Sequence, residues 1–344
     1  MFAFSKMRSL VIAAAALALA LTLSQASLAK ELRILAWQGY ADEDWVKEFK
    51  DQCGCDVSVV FIGTDDEIWA KIKGSEGKDF DLFAVNTAQL QRYIDAGLTT
   101  PIDLSKIPNQ QQTLPRFRDL SQVKGVMRDG NVHAVPYAFD AIGIIYDPSK
   151  VDPAPDSMTV LWDPKYQGKV LGYDNGEHNF SITALTMGVE NPFQLTPEQL
   201  DQAKAKLIDL KHNVLSFYTT ADEAVQLWQN NDVAVMFANF GQQQVKMMAD
   251  AGLNTVYVNP KEGALAWLDT WALTSGVQDK DLAESWINFV LQKQIGEQLS
   301  ERTGFGNTVV PFPSAGDNDK LVYLEFVEDP TKRSDLWNEI KAAP

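Results

Sequence analysis

Histidine and cysteine are scarce here, with three and two copies in 344 residues. His133, His178 and His212 lie far apart and lack the spacing of metal ligands, so no metal site and no catalytic imidazole is expected. Cys53 and Cys55 flank one glycine. In an oxidising compartment they could pair, but so small a ring adds little stability, and they read as decoration on a surface turn. Enzyme signatures are missing too: there is no G-x-S-x-G elbow, no phosphate loop ending in Gly-Lys-Ser/Thr, no dinucleotide glycine fingerprint and no H-E-x-x-H. The pair Asp65-Asp66 opens a helix, where the positive end of the dipole accounts for it. With no nucleophile–base motif in view, neither an enzyme nor a cofactor is expected.

Basic residues are also in short supply. Thirty Lys and Arg face forty-six Asp and Glu, a formal charge of −16. Nucleic acid and anionic lipid are thereby disfavoured as partners, and a cation is mildly favoured. Long apolar runs are absent except at the start, where Lys6 and Arg8 precede an apolar run at 10–23 and Ser27-Leu28-Ala29 supplies small residues for cleavage. That layout predicts a secretory signal over residues 1–29; its core of 14 residues is short of the about 20 a spanning helix needs. No cysteine lies near the cleavage point, so no lipid anchor is expected. The mature chain should have 315 residues, carry −18 without Lys6 and Arg8, reach the periplasm and stay out of the membrane. At about 150 residues per domain, that length predicts two domains.

What the sequence does contain is alternation. Strands are predicted at 32–37, 56–62 and 79–85, with helices at 42–51, 64–73 and 87–96 between and after them. A polar stretch at 105–118 interrupts the pattern, which resumes as two strands, 132–136 and 141–146. A second set follows: strand 169–173, helix 180–189, a long helix opened by the capping box Thr196-Pro197-Glu198-Gln199, strand 233–238, helix 240–251, strands 255–258 and 264–274, and one helix over 281–300. Repeated strand–helix–strand units imply parallel sheets with helices on both faces. Two such sets joined by extended segments imply two α/β lobes around a cleft, a favoured place for a small ligand.

Candidate ligand contacts fall where strands give way to loops, because open α/β sheets bind ligands at the carboxyl ends of their strands. Trp37 ends the first strand and Tyr40 follows it; Phe139 and Asp140 stand at the first expected crossing between lobes, and Trp267 and Asp269 at the second. Phe237, Asn239 and Phe240 follow another strand. Trp267 and Asp269 are two apart and so share a strand face, setting an aromatic plane beside a carboxylate. That pairing suits an ammonium ion, through a cation–π contact and a charge-assisted hydrogen bond.

These residues also carry a family resemblance. Leu32-Arg33-Ile34-Leu35-Ala36-Trp37-Gln38-Gly39-Tyr40, Asp79-Phe80-Asp81-Leu82-Phe83, Val135-Pro136-Tyr137, the run from Trp162 to Lys169, and Pro260-Lys261-Glu262-Gly263 through Trp267-Leu268-Asp269 resemble the bacterial spermidine/putrescine-binding periplasmic receptors. The resemblance runs over essentially the whole mature chain. It implies a type II periplasmic-binding fold whose two lobes hinge shut on a small cationic ligand and dock on an inner-membrane ABC permease, acting as a monomer. The implied lobes are 30–138 plus 267–305 and 139–266 plus 306–344, with hinges near 137–141, 264–267 and 305–311. It also implies that Trp37 and Tyr40 form an aromatic wall, that Trp267 and Asp269 grip an amine, that Asn86 and Thr87 line the pocket, and that Asp174 sits in an acidic loop of the second lobe.

The departures bear on the ligand. Gly39 stands where spermidine receptors tend to carry a carboxylate, Asn175 and His178 replace acidic residues, and Phe237 stands where tryptophan is common. Glu177 or Asp140 are candidates to compensate. Fewer pocket acids suit a shorter or singly charged ligand. The alternatives are a receptor for a monoamine or an amine-bearing zwitterion, against which the lack of an obvious pocket arginine counts, and a ligand-presenting sensor partner.

Overall fold

The computed structural model describes residues 30–311 and 320–343; the predicted signal segment lies outside them. Strand β1 (Glu31–Trp37), helix α1 (Glu43–Cys53), β2 (Asp56–Ile62), α2 (Asp65–Gly74), β3 (Leu82–Asn86) and α3 (Thr87–Asp95) follow the predicted alternation. Local chemistry sets the boundaries: Thr64 accepts from the Glu67 N–H to cap α2, and Asn86 accepts from the Gln89 N–H to cap α3. Helix α1 ends at Gly54, whose φ of 61° is left-handed. Beyond it Cys53 and Cys55 form a disulfide.

The two strands predicted at 132–136 and 141–146 are one, β4 (Ala134–Tyr146), buried at all thirteen positions. In the second half come β5 (Val170–Tyr173), α4 (Gly176–Thr186), α5 (Pro197–Lys211), β6 (Val214–Tyr218), α6 (Ala221–Asn230), β7 (Val235–Ala238), α7 (Gly241–Asp250) and β8 (Ala264–Thr274). The capping box at Thr196 and Gln199 is formed in full. The single helix predicted over 281–300 is two, α8 (Lys280–Val290) and α9 (Lys293–Thr303), because the chain turns extended at Gln292 and so brings Ile295 and Leu299 onto the same core as Trp286. The C-terminal helix α10 (Pro330–Ala342) closes the described chain.

The sheet runs β2-β1-β3-β8-β4-β7-β5-β6. Its two flanks are parallel, β2-β1-β3 and β7-β5-β6, as crossover helices require. Between them β8 and β4 run antiparallel to each other and to their outer neighbours. These two long strands pass through both cores. On β4, Phe139 belongs to the first core and Ile142 to the second; on β8, Leu265 belongs to the second and Leu268 to the first. Two α/β lobes therefore share a pair of continuous strands, the arrangement of a type II periplasmic-binding fold.

Candidate ligand-binding cleft

A cleft of about 1120 Å³ opens between the lobes at the carboxyl ends of β1, β2, β3, β5 and β7. Trp37, Tyr40, Asn86, Trp267 and Asp269 all line it. The turn after β1 aims Tyr40 inward: the Tyr40 N–H donates to the Trp37 carbonyl, and Gly39 between them has φ 89°. A side chain at Gly39 would suffer both from that φ and from Thr303 Cγ2, 3.1 Å from its Cβ. The backbone therefore favours glycine where spermidine receptors tend to carry an acid.

Tyr40 Oη donates to Asp269 Oδ2 at 2.7 Å. Tyr40 is itself fixed edge-on against Tyr137 and Phe305, with ring centres 5.1 and 6.3 Å away, and Phe305 meets Trp267 edge-on at 5.1 Å. Burial among these rings pushes the Asp269 carboxyl up to about 7; the Tyr40 hydrogen bond opposes that rise and nearby Asp65 adds to it. A carboxylate short of counter-charge, beside indole planes, is a receptor for an ammonium group.

The remaining predicted contacts do not line the cleft itself. Thr87 is buried at the start of α3, where its hydroxyl donates to the Leu324 carbonyl. Phe139 is core, its ring 5.1 Å from that of Phe117. Asp140 is fully buried and accepts from the N–H groups of Ala141 and Gln242, so its charge serves the N-terminus of α7. Phe237 packs in the second core. Asp174 faces α10, where Lys341 Nζ and Trp337 Nε1 donate to its Oδ1 at 2.7 and 2.6 Å. All five stand near strand ends or crossings, but none of them lines this opening, and Asp174 lines a smaller cavity beside it.

Other residues line the cleft too, some already named from the sequence (Glu177, Asn239, Phe240) and some not (Asp65 and Arg92 among them). Asp65 accepts from Asn86 Nδ2 at 2.9 Å, and burial pushes its carboxyl up, as it does for Glu177. Arg92 also lines the wall, correcting the expectation that no arginine does. Its Nη2 donates to the Asp65 carbonyl at 2.9 Å, and its guanidinium lies 4.8 Å from the centre of the Trp69 ring. From the second lobe come Tyr173, His178, Asn239 and Phe240. His178 Nδ1 donates to Asn239 Oδ1 at 2.7 Å, and burial lowers its pKa to about 4, so it is a neutral acceptor at Nε2 near pH 7. In all, six carboxylates (Asp65, Asp66, Glu177, Asp269, Glu325, Asp335) share the cleft with one guanidinium, which favours a cationic occupant. The signal that could have found Asp65 is its position just past a strand end, the same signal that picked out Asn239.

Among the described residues no cluster of His, Cys, Asp or Glu could hold a metal ion, and no helix is long and apolar enough to cross a membrane. The sequence model of the bacterial extracellular solute-binding protein family matches residues 44–322. The chain is 26% identical over 299 residues to spermidine/putrescine-binding periplasmic protein 1 of Haemophilus influenzae, covering 86% of this chain and 79% of the relative. It is 25% identical over 342 residues to the spermidine/putrescine-binding periplasmic protein of Escherichia coli, covering 97% of this chain and 94% of the relative. In structure it resembles the spermidine/putrescine ABC transporter substrate-binding protein of Streptococcus pneumoniae (TM-score 0.78, 24% identity, covering 91% of this chain and 99% of that one). It also resembles a GABA receptor (TM-score 0.70, 18% identity, covering 91% and 97%). At these identities the structures establish the fold. The family match carries the rest: this chain belongs to the bacterial extracellular solute-binding proteins, and its role in the periplasm is to bind a solute, not to transform one.

Proposed function

We propose that this protein is the solute-binding component of an ABC importer and captures a small amine-bearing organic cation of the polyamine class, such as putrescine or spermidine. The observation that carries the reading is Asp269, held by Tyr40 in an acidic cleft that Trp37 and Trp267 also line. An ammonium group placed there takes the carboxylate as partner and the indole faces as cover, each aromatic contact contributing about 0.5–2 kcal/mol. A micromolar complex needs about 8 kcal/mol, within reach of one such ion pair and two or three aromatic contacts. Capture involves no covalent step. Closure at 137–141, 264–267 and 305–311, about lobes 30–138 plus 267–305 and 139–266 plus 306–344, buries the ligand and creates the form an inner-membrane permease recognises. The names of the relatives, which bind spermidine and putrescine, support the ligand class.

Arg92 gives a specific reason to keep a second reading, an amine-bearing zwitterion whose carboxylate meets the guanidinium. The surrounding excess of acids favours the cation. Calorimetry on ligand-stripped mature protein with putrescine, spermidine, cadaverine, γ-aminobutyrate, choline and glycine betaine separates the two. Micromolar diamine or triamine binding that is lost in Asp269→Asn supports the proposal. Binding of γ-aminobutyrate alone replaces it with the zwitterion reading.

A further inference from the structure

A second cavity of about 330 Å³ adjoins the cleft in the second lobe and shares Asn175, Glu177, Pro330 and Ser334 with it. Asp174 enters it from the turn between β5 and α4, and Trp337 and Lys341 enter from α10. Lys341 Nζ donates to Asp174 Oδ1 at 2.7 Å and lies 5.8 Å from the centre of the Trp337 ring, whose Nε1 donates to the same oxygen. A carboxylate and an indole around an ammonium are the chemistry that Asp269 and Trp267 offer in the main cleft. Here the ammonium already belongs to the chain. A lysine side chain is a butylammonium, chemically the end of a polyamine. The pair is also exchangeable, since the side chains of Lys341 and Asp174 keep 34% and 28% exposure.

We propose that the Asp174–Trp337 pocket is a second ammonium site for the distal amine of a polyamine held at Asp269, and that Lys341 is its built-in occupant. Lys341 then acts as a specificity-determining residue. By filling the second site it removes the reward for a longer, more highly charged ligand, and the native protein discriminates little between a diamine and a triamine. The inference rests on the amine reading of the cleft. Removing the lysine charge leaves Asp174 without its cation and opens the pocket to a ligand amine.

Lys341→Met keeps the aliphatic stem while deleting the ammonium. Putrescine, spermidine and spermine are titrated by calorimetry into the native protein, Lys341→Met and the double variant Asp174→Asn/Lys341→Met, with thermal melts to establish folding. The spermidine-to-putrescine affinity ratio should rise about threefold or more in Lys341→Met and return to the native value in the double variant. Lys341→Gln should behave like Lys341→Met and replaces it if the methionine variant misfolds. Amine binding with a ratio that stays within roughly twofold of native in Lys341→Met and Lys341→Gln overturns the second site but leaves the Asp269 reading standing. Absence of amine binding in the native protein and both variants overturns the two together.

Discussion

The two walls of the cleft handle charge in opposite ways. On the first lobe, Asp269 has one side-chain hydrogen-bond partner among the described residues, the Tyr40 hydroxyl, and burial holds its carboxyl near 7. On the second lobe, burial raises the Glu177 carboxyl too, but two other acids are matched within the chain. Asp174 has Lys341, and Glu328 has the guanidinium of Arg333, which is itself fully buried and also donates to the Glu177 carbonyl, Ser181 Oγ and the Pro192 carbonyl. The residues this wall turns to the cleft include the neutral pair His178 and Asn239. An unmatched buried charge is costly to keep and is relieved by a ligand; a matched one stabilises the fold and leaves a ligand little to gain. One wall is thus built for capture and the other mainly for rigidity.

Mutation should separate the two. The largest effect expected is on the second lobe: Arg333→Ala strands Glu328 beside several unpaired acceptors and should cost about 3–5 kcal/mol of stability in denaturant unfolding. Comparable destabilisation from Asp269→Asn would erase the contrast. That first-lobe variant should instead fold normally and lose at least about 30-fold in amine affinity by calorimetry, since it removes the ligand's buried counter-charge.

The pH dependence follows from the same carboxylate. The native state holds the Asp269 proton up to about 7, whereas the unfolded chain releases it near 3.8. Between those values the native state binds more protons, so this group makes the ligand-free protein less stable as pH rises from about 4 to 7. Thermal melts should show that slope, and Asp269→Asn should flatten it. Ligand binding runs the other way: an ammonium needs the ionised form, so affinity should fall toward about tenfold per pH unit below about 7. A flat affinity between pH 5 and 8 would remove Asp269 from the binding step. Smallest of the four, Trp267→Ala should weaken amine binding by roughly 2- to 30-fold while leaving the melting temperature of the ligand-free protein near native.

Much of this architecture could be read from the sequence because it is locally encoded. The strands of the first lobe announce themselves by apolar runs and period-two alternation, and Thr64 and Thr196 start their helices where capping chemistry predicts. Trp267 and Asp269 could be paired because strand geometry puts residues two apart on one face. Period alone could not show that 132–136 and 141–146 join into one strand: a continuous apolar strand lacks alternation when both of its faces are buried. Nor could it show the turn at Gln292, because α8 and α9 present apolar residues on either side of it.

Which acids face the ligand was a matter for the tertiary structure. Asp140, Asp174 and Asp269 all looked like cleft carboxylates in sequence, each near a crossing or a strand end. Their fates differ because each meets different long-range partners: the N-terminus of α7 for Asp140, α10 for Asp174, and the Tyr40 hydroxyl for Asp269. Lys341 lies 167 residues beyond Asp174 and Tyr40 lies 229 before Asp269, separations over which no spacing rule operates. The sequence by itself determined an acidic, two-lobed α/β receptor with an aromatic–carboxylate grip. Only the packing of distant helices against strand ends decided which of its charges remain free to hold a ligand.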